Sequence, residues 1–202
     1  MMIRPISIDA VPLVIQFALC GLYLLAAWIV YRKASKEKDA VEYVPFILSM
    51  AVGLILPVVY GISLMTVKGM ILALVLLYAS ISDIKTRKVS DCVFAMILIL
   101  SFVGFNITNL PSMIAGAAVV FVPQFSLALA RPGRACGGAD LKISMALAFM
   151  MGAEKGIFAL VIGMLFAIVV MAIYNKIKAK SQKEAFPLVP FLSIGAMIAY
   201  II

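Results

Sequence analysis

Long apolar runs alternate with short polar segments from one end of the chain to the other. Eight runs are candidates for helices that cross a membrane, since a crossing needs about 20 apolar residues for about 30 Å of hydrocarbon. They extend over roughly 11–31, 44–66, 69–83, 92–106, 111–130, 140–152, 156–175 and 188–202. The third, fourth, sixth and eighth runs are short, so the pattern predicts an all-α, polytopic transmembrane helical bundle with six to eight spans.

Composition favours the same fold class. Hydrophobic residues make up 65% of the 202 residues and charged residues 13%, against about 45–50% and about 25% in soluble domains. Lipid offers no partners to backbone polar groups, so the apolar runs should satisfy them as helices. We expect the first run to be retained, because it is about as long as a full span and no small-residue cleavage site precedes Tyr31.

Basic residues divide unevenly between the two sides of such a bundle. With the N-terminus outside, only Arg4, Lys68 and Lys155 fall on the outer side, which leaves 14 of the 17 basic residues on the other. Short cytoplasmic loops collect Lys and Arg, so this side is predicted to face the cytoplasm. We attribute the net charge of +8 to orientation and to attraction by lipid headgroups, not to nucleic-acid binding.

Two acidic residues lie at the predicted cytoplasmic ends of apolar runs. Only 14 residues separate Lys68 from Asp83, about 21 Å of helix, so we expect this helix to continue past Asp83. Only 11 residues separate Asp140 from Gly152, where an outer loop begins. Ionisable groups at this depth are costly and indicate a functional site. Ion pairing with nearby lysines, or helix capping, is the structural alternative for both acids.

Metal chemistry has little support in the sequence. The chain has no histidine, and Cys20, Cys92 and Cys136 form no C-x-x-C pair, which practically excludes a zinc site built from Cys and His. We expect no metal and no cofactor, and we expect the three cysteines to be buried thiols. Ser90 or Asp91 precedes the apolar run CVFAMILIL and is predicted to cap a helix.

The segments around the two acids resemble motifs of the prepilin peptidases. DIKTRKVSD (83–91) is similar to the family's first aspartate motif, and GGAD (137–140), followed by Leu141 and Lys142, is similar to its G-x-G-D signature. PLVPFL (187–192) resembles a segment near the family's C-terminus. The resemblance covers residues 68–202 and departs from the family pattern at Ala139 and Asp91. It divides a single membrane domain, 1–202, into an N-terminal hairpin, 1–67, and a peptidase core, 68–202.

The resemblance implies an aspartic membrane endopeptidase whose catalytic residues are Asp83 and Asp140. Its substrate would be a prepilin-like protein, such as a type IV pilin, an archaellin or a pseudopilin, cut at the cytoplasmic face of the cell membrane. Gly137 and Gly138 would let substrate backbone approach or form a positive-φ turn that aims Asp140, and Lys142 would bind substrate or shape the loop. The cysteine-rich domain of the methylating family members is absent, so peptidase activity alone is expected.

Simple chemistry agrees with two carboxylates as the hydrolytic groups. At close range they cannot both ionise, so they share a proton and their apparent pKa values separate. The ionised member accepts a proton from the attacking water, and the protonated member donates to the peptide carbonyl oxygen. The sequence does not assign these two roles between Asp83 and Asp140.

Three alternatives remain open. A presenilin-like intramembrane protease would use the same chemistry, but Ser82, and not tyrosine, precedes Asp83. A small polytopic transporter would also keep acids in the membrane, although normally near the midplane. A hydrolase that uses Ser80 or Ser82 with Lys85 would need a lysine of lowered pKa, which a wet loop does not provide.

Overall fold

The computed structural model describes residues 10–35, 43–130, 137–178 and 187–202. Within these ranges the chain forms eight α-helices and no strand, which confirms the all-helical prediction. One helix corresponds to each of the eight apolar runs. The helices are α1 (Ala10–Ala34), α2 (Tyr43–Tyr60), α3 (Leu64–Thr86), α4 (Asp91–Ser101), α5 (Leu110–Ala130), α6 (Gly138–Met151), α7 (Ala153–Lys178) and α8 (Val189–Ile201).

Five helices, α1, α2, α3, α5 and α7, are long and apolar enough to cross a membrane. The protein is therefore a multi-pass membrane protein. Helices α4, α6 and α8 have 11, 14 and 13 residues, about 17–21 Å of helix each, and fall short of the hydrocarbon core. Three of the four short runs are thus short helices, whereas α3 has 23 residues and continues past Asp83 to Thr86, as expected.

The turn between α2 and α3 lies earlier in the chain than the apolar pattern indicated. The second run was expected to continue to about residue 66, but α2 ends at Tyr60 and α3 begins at Leu64. Gly61 adopts a φ of +62°, a conformation that favours glycine. The Ser63 side chain then caps α3 by accepting a hydrogen bond from the Thr66 N–H. Local turn chemistry outweighs hydropathy at this point.

The core of the bundle lies around α3, which packs against α1, α2, α4 and α8. Helix α8 also packs closely along α7. A Cβ atom added at Gly195 would overlap the Ala159 carbonyl oxygen, and one added at Gly163 would lie 2.9 Å from the Phe191 carbonyl oxygen. Small residues therefore allow the α7 and α8 backbones to touch.

Side-chain contacts show which helix ends lie together. Lys85, near the end of α3, donates through Nζ to the Ala34 carbonyl at the end of α1, at 3.2 Å. Lys142 in α6 contacts Asp91 at the start of α4, only five residues after α3 ends. We call the ends of α1 and α3, together with the starts of α4, α6 and α8, the site end of the bundle. Among the residues that the structure describes, Arg32 and Lys33 at the end of α1, Lys85 at the end of α3 and Lys142 near the start of α6 belong to this end.

Candidate active site

Asp83 lies where α3 meets the N-terminus of α8. Its side chain is only 6% exposed, and its Oδ2 atom accepts a hydrogen bond from the Val189 N–H at 3.1 Å. Val189 is the first residue of α8, so its amide is one of those that have no partner within the helix. The positive end of the helix dipole also points at the carboxylate. The start of another helix thus donates a backbone hydrogen bond to this buried carboxylate.

The segment after Asp83 folds back on the end of α3. Arg87 adopts a left-handed conformation, with φ of 54°, and its N–H donates to the Asp83 carbonyl. This geometry is a common way for a helix to end. The Ser82 hydroxyl donates to the Lys88 carbonyl at 2.8 Å, and the Thr86 hydroxyl lies 2.9 Å from the Ser82 carbonyl and 3.0 Å from the Lys88 carbonyl. Asp83 is therefore in the last turn of its helix, close to the polar surface at the site end.

Asp140 lies in the first turn of α6. This helix is not one of the five that are long enough to cross the membrane. The Asp140 Oδ2 atom accepts a hydrogen bond from the N–H of Gly137, the residue that caps the helix, at 3.3 Å. Helix capping, considered above as the structural alternative, is thus one role of this acid. Its partial burial leaves the carboxyl group less well solvated than on an open surface.

The two carboxylates interact electrostatically at the site end. Burial, and secondly the nearby Asp83 carboxylate, raise the pKa of Asp140 to about 6, while the hydrogen bond from the Gly137 N–H acts in the opposite direction. A like charge raises the pKa of an acid in this way only when the two groups lie close together. Asp83 and Asp140 therefore lie near enough for the charge of one to affect the other, although they belong to different helices.

Gly137 and Gly138, expected together, have different surroundings. Gly137 has φ −71° and Gly138 is the first residue of α6; neither has a positive φ. The prediction of a positive-φ turn is therefore wrong, because ordinary extended backbone leads directly into the helix. A Cβ atom at Gly137 would lie 2.8 Å from Asp140 Oδ2, whereas one at Gly138 would meet nothing within 4 Å. Gly137 leaves space for the carboxylate, and Gly138 leaves open space at the surface.

Lys142 forms an ion pair with Asp91 at 2.7 Å. The pair joins the second turn of α6 to the first turn of α4. Ser90 caps α4, as predicted, by accepting a hydrogen bond from the Cys92 N–H. Both charged side chains are largely exposed, so the pair should contribute at most about 1 kcal/mol to stability. It does connect the segment after Asp83 with the segment of Asp140, which supports the loop-shaping role expected for Lys142.

The serine and lysine alternative has no support in these contacts. The Ser80 hydroxyl lies 3.0 Å from the Ser193 hydroxyl, and Ser82 donates to a backbone carbonyl. Lys85 reaches the carbonyl of Ala34 on another helix. A serine nucleophile would instead need its base within hydrogen-bond reach.

Cysteine positions and metal ligands complete the description of the site. Among the residues that the structure describes, no three or more His, Cys, Asp and Glu side chains form a group that could hold a metal ion. Cys92 is exposed and Cys20 is partly buried, so the expectation of buried thiols is wrong for Cys92. This residue occupies the outward side of the first turn of α4. Cys136 lies outside the described residues.

Sequence reasoning did not find the contribution of α8 to this site. The PLVPFL segment (187–192) is distinguished in the sequence only by its resemblance to a family segment. Nothing in its sequence predicts that the Val189 N–H forms a hydrogen bond with Asp83. The two residues are 106 positions apart. The buried contact between Ser80 and Ser193 was also missed, because single serines in apolar runs have many possible partners.

Together, the helices and the two partly or fully buried acids define a multi-pass membrane protein with carboxylates at one end of its bundle. The model of the type IV leader peptidase family matches residues 70–173, just over half of the chain. The protein belongs to this family and is a type IV leader peptidase-like protease. Both aspartates lie in the matched region, and Val189 lies outside it. Comparison with curated proteins and with solved structures gave no match.

Proposed function

We propose that this protein is an aspartic endopeptidase that removes the short leader of a prepilin-like membrane protein. A type IV pilin, an archaellin or a pseudopilin is the class of substrate that we have in mind. Membership of the leader peptidase family supports the type of reaction. The observation that carries the aspartic mechanism is that the Asp83 carboxylate raises the pKa of Asp140 at the same end of the bundle.

In the proposed reaction, Asp83 and Asp140 act as a unit that shares one proton. The ionised carboxylate takes a proton from a water molecule as the water oxygen attacks the peptide carbonyl carbon. The protonated carboxyl group donates its proton to the carbonyl oxygen, and a proton then passes to the departing amine as the C–N bond breaks. With a pKa of about 6, Asp140 can exchange a proton near neutral pH.

The depth of the site fits a substrate that is anchored in the bilayer. Asp83 lies three residues before the end of α3, and Asp140 lies in the first turn of α6. A substrate helix beside the bundle would present the junction between its polar leader and its apolar segment at this level. The basic residues that the structure describes at the site end, among them Lys85 and Lys142, favour the cytoplasmic face of the cell membrane.

The experiment that tests this function uses membranes that contain the protein and a panel of co-expressed prepilin-like substrates. We expect at least one substrate to be shortened at the boundary between leader and apolar segment, with the new N-terminus identified by mass spectrometry. A matched control substrate carries the same apolar segment behind an unrelated soluble leader and should remain intact. If the folded protein cuts no class of leader, or cuts the control equally well, the proposed function is wrong.

A further inference from the structure

A continuous set of hydrogen bonds joins α3 to the first turn of α8. The Ser193 hydroxyl donates to the Val189 carbonyl at 2.8 Å. Its single proton is then used, so Ser80 is the donor in the 3.0 Å contact between the two hydroxyls. On its other side, Val189 donates its N–H to Asp83 Oδ2. Ser80 and Asp83 are three residues apart and share a face of α3, so the set begins and ends on one turn.

All four groups are removed from solvent. Ser80 is 1% exposed, Ser193 8% and Asp83 6%, and Val189 is fully buried. A buried serine in a helix can satisfy its hydroxyl with the carbonyl four residues earlier, as Ser193 does. Ser80 instead reaches across to α8. Apolar packing is non-directional. The hydrogen bond from Ser80 to Ser193 is directional, so it restricts the position of α8 against α3 in a way that apolar packing does not.

The position of α8 matters because the Val189 amide holds the Asp83 carboxylate. Hydrogen bonds weaken steeply once their length or angle leaves a narrow range, so a small slide or rotation of α8 would remove this donor. The carboxylate would then be free to change its orientation. Misplacement of a reacting group by about 1 Å can reduce a rate about 100-fold.

We propose that Ser80 and Ser193 are positioning residues for Asp83, since their hydroxyls hold the start of α8 in register with α3. This inference rests on the proposed function, in which Asp83 is catalytic. Neither serine takes part in the chemical reaction itself, but both contribute to cleavage because they position Asp83. It also makes α8, which lies beyond the region matched by the family model, necessary for full activity.

The kinetic test compares Ser80→Ala, Ser193→Ala and the double variant with the wild type. Each single change should lower kcat about 10-fold or more through the lost hydrogen bond, with KM nearly unchanged. The double variant should be no worse than the poorer single variant, because both serines serve one contact. Ser193→Thr, which keeps a hydroxyl, should restore most of the rate.

Ser101→Ala is the matched control. Ser101 is also buried, at 2% exposure, but its hydroxyl donates to the Leu98 carbonyl within α4. It should keep wild-type kcat. Three outcomes would overturn the inference. They are a kcat of Ser80→Ala and Ser193→Ala equal to that of Ser101→Ala, a change in KM alone, and additive losses of kcat in the double variant. Cleavage that persists in Asp83→Asn would instead refute the catalytic role of Asp83 on which this inference rests.

A chemical readout needs no substrate. Dicyclohexylcarbodiimide reacts with protonated carboxyl groups in apolar surroundings, and mass spectrometry measures its addition to Asp83. Loss of the Val189 donor should favour the protonated form, so Ser80→Ala and Ser193→Ala should label several-fold faster than the wild type and Ser101→Ala. Equal labelling of Asp83 in all four proteins would contradict the positioning role, whether or not the protein cuts leaders.

Discussion

Adding one methyl group at Gly137 should disturb Asp140 without disturbing the bundle. The new Cβ atom would lie 2.8 Å from Asp140 Oδ2, against about 3.4 Å for ordinary contact, so the carboxylate must move by roughly half an ångström. Its 3.3 Å hydrogen bond from the Gly137 N–H would then be lost, at a cost of about 1 kcal/mol in helix capping. Because a shift of about 1 Å can cost 100-fold, we expect kcat of Gly137→Ala to fall about 10- to 100-fold.

Gly138→Ala is the matched control for this change. A Cβ atom there meets nothing within 4 Å, and alanine is the better helix former, so stability should stay equal or rise by up to about 1 kcal/mol. The assay combines leader cleavage with thermal unfolding of both variants in detergent. If Gly138→Ala loses as much activity as Gly137→Ala while both remain folded, the glycines serve the approach of substrate, and our explanation is refuted.

Three further predictions concern charge and topology. Because the pKa of Asp140 is raised from 3.8 to about 6, the folded state binds more protons than the unfolded state between these values. Thermal unfolding should therefore show stability falling as pH rises from about 4 to about 6, and Asp140→Asn should reduce this dependence; an unchanged slope would contradict it. Separating the exposed ion pair by Lys142→Ala should cost at most about 1 kcal/mol in thermal unfolding, and the exchanged pair of Asp91→Lys with Lys142→Asp should recover it. In a cysteine-free background, Lys88→Cys and Lys155→Cys, both at exposed positions, should react with impermeant reagents from opposite sides of the membrane, with position 88 cytoplasmic; labelling of both from one side would overturn the topology.

Hydropathy was sufficient to locate the eight helices because lipid allows an apolar segment few other structures. It was insufficient where local chemistry decided the outcome. The turn at Gly61 and Ser63 interrupts residues that are still apolar, so the second helix is shorter than its run. The division into an N-terminal hairpin and a peptidase core stays a prediction, and its boundary at residues 67 and 68 falls in the first turn of α3.

The candidate acids could be selected from the sequence because a charge at the membrane edge is costly and because two motifs resembled a known family. The groups that surround these acids in the structure could not be predicted from the sequence. The contact between Val189 and Asp83 depends on the rotation and register of α8 against α3, and apolar periodicity leaves both undetermined. Two adjacent glycines in the sequence likewise do not reveal that only Gly137 lies against the Asp140 carboxylate.

Asp91 is not the residue that caps α4, since Ser90 does so, but it has another role. Its ion pair with Lys142 links the two acid-bearing segments, so Asp91 is a poor neutral control for the catalytic acids. Glu154 is better suited. It is exposed in the first turn of α7, immediately after α6 has ended, and it lies away from the site end.

The most direct test of the central claim is the rate of leader cleavage by purified wild type, Asp83→Asn, Asp140→Asn and Glu154→Gln. Asparagine keeps the shape of each side chain but removes its ability to exchange a proton, so both site variants should remain folded and lose cleavage, while Glu154→Gln should match the wild type. Wild-type cleavage by a folded Asp83→Asn or Asp140→Asn variant would contradict the assignment of these two carboxylates as the catalytic pair.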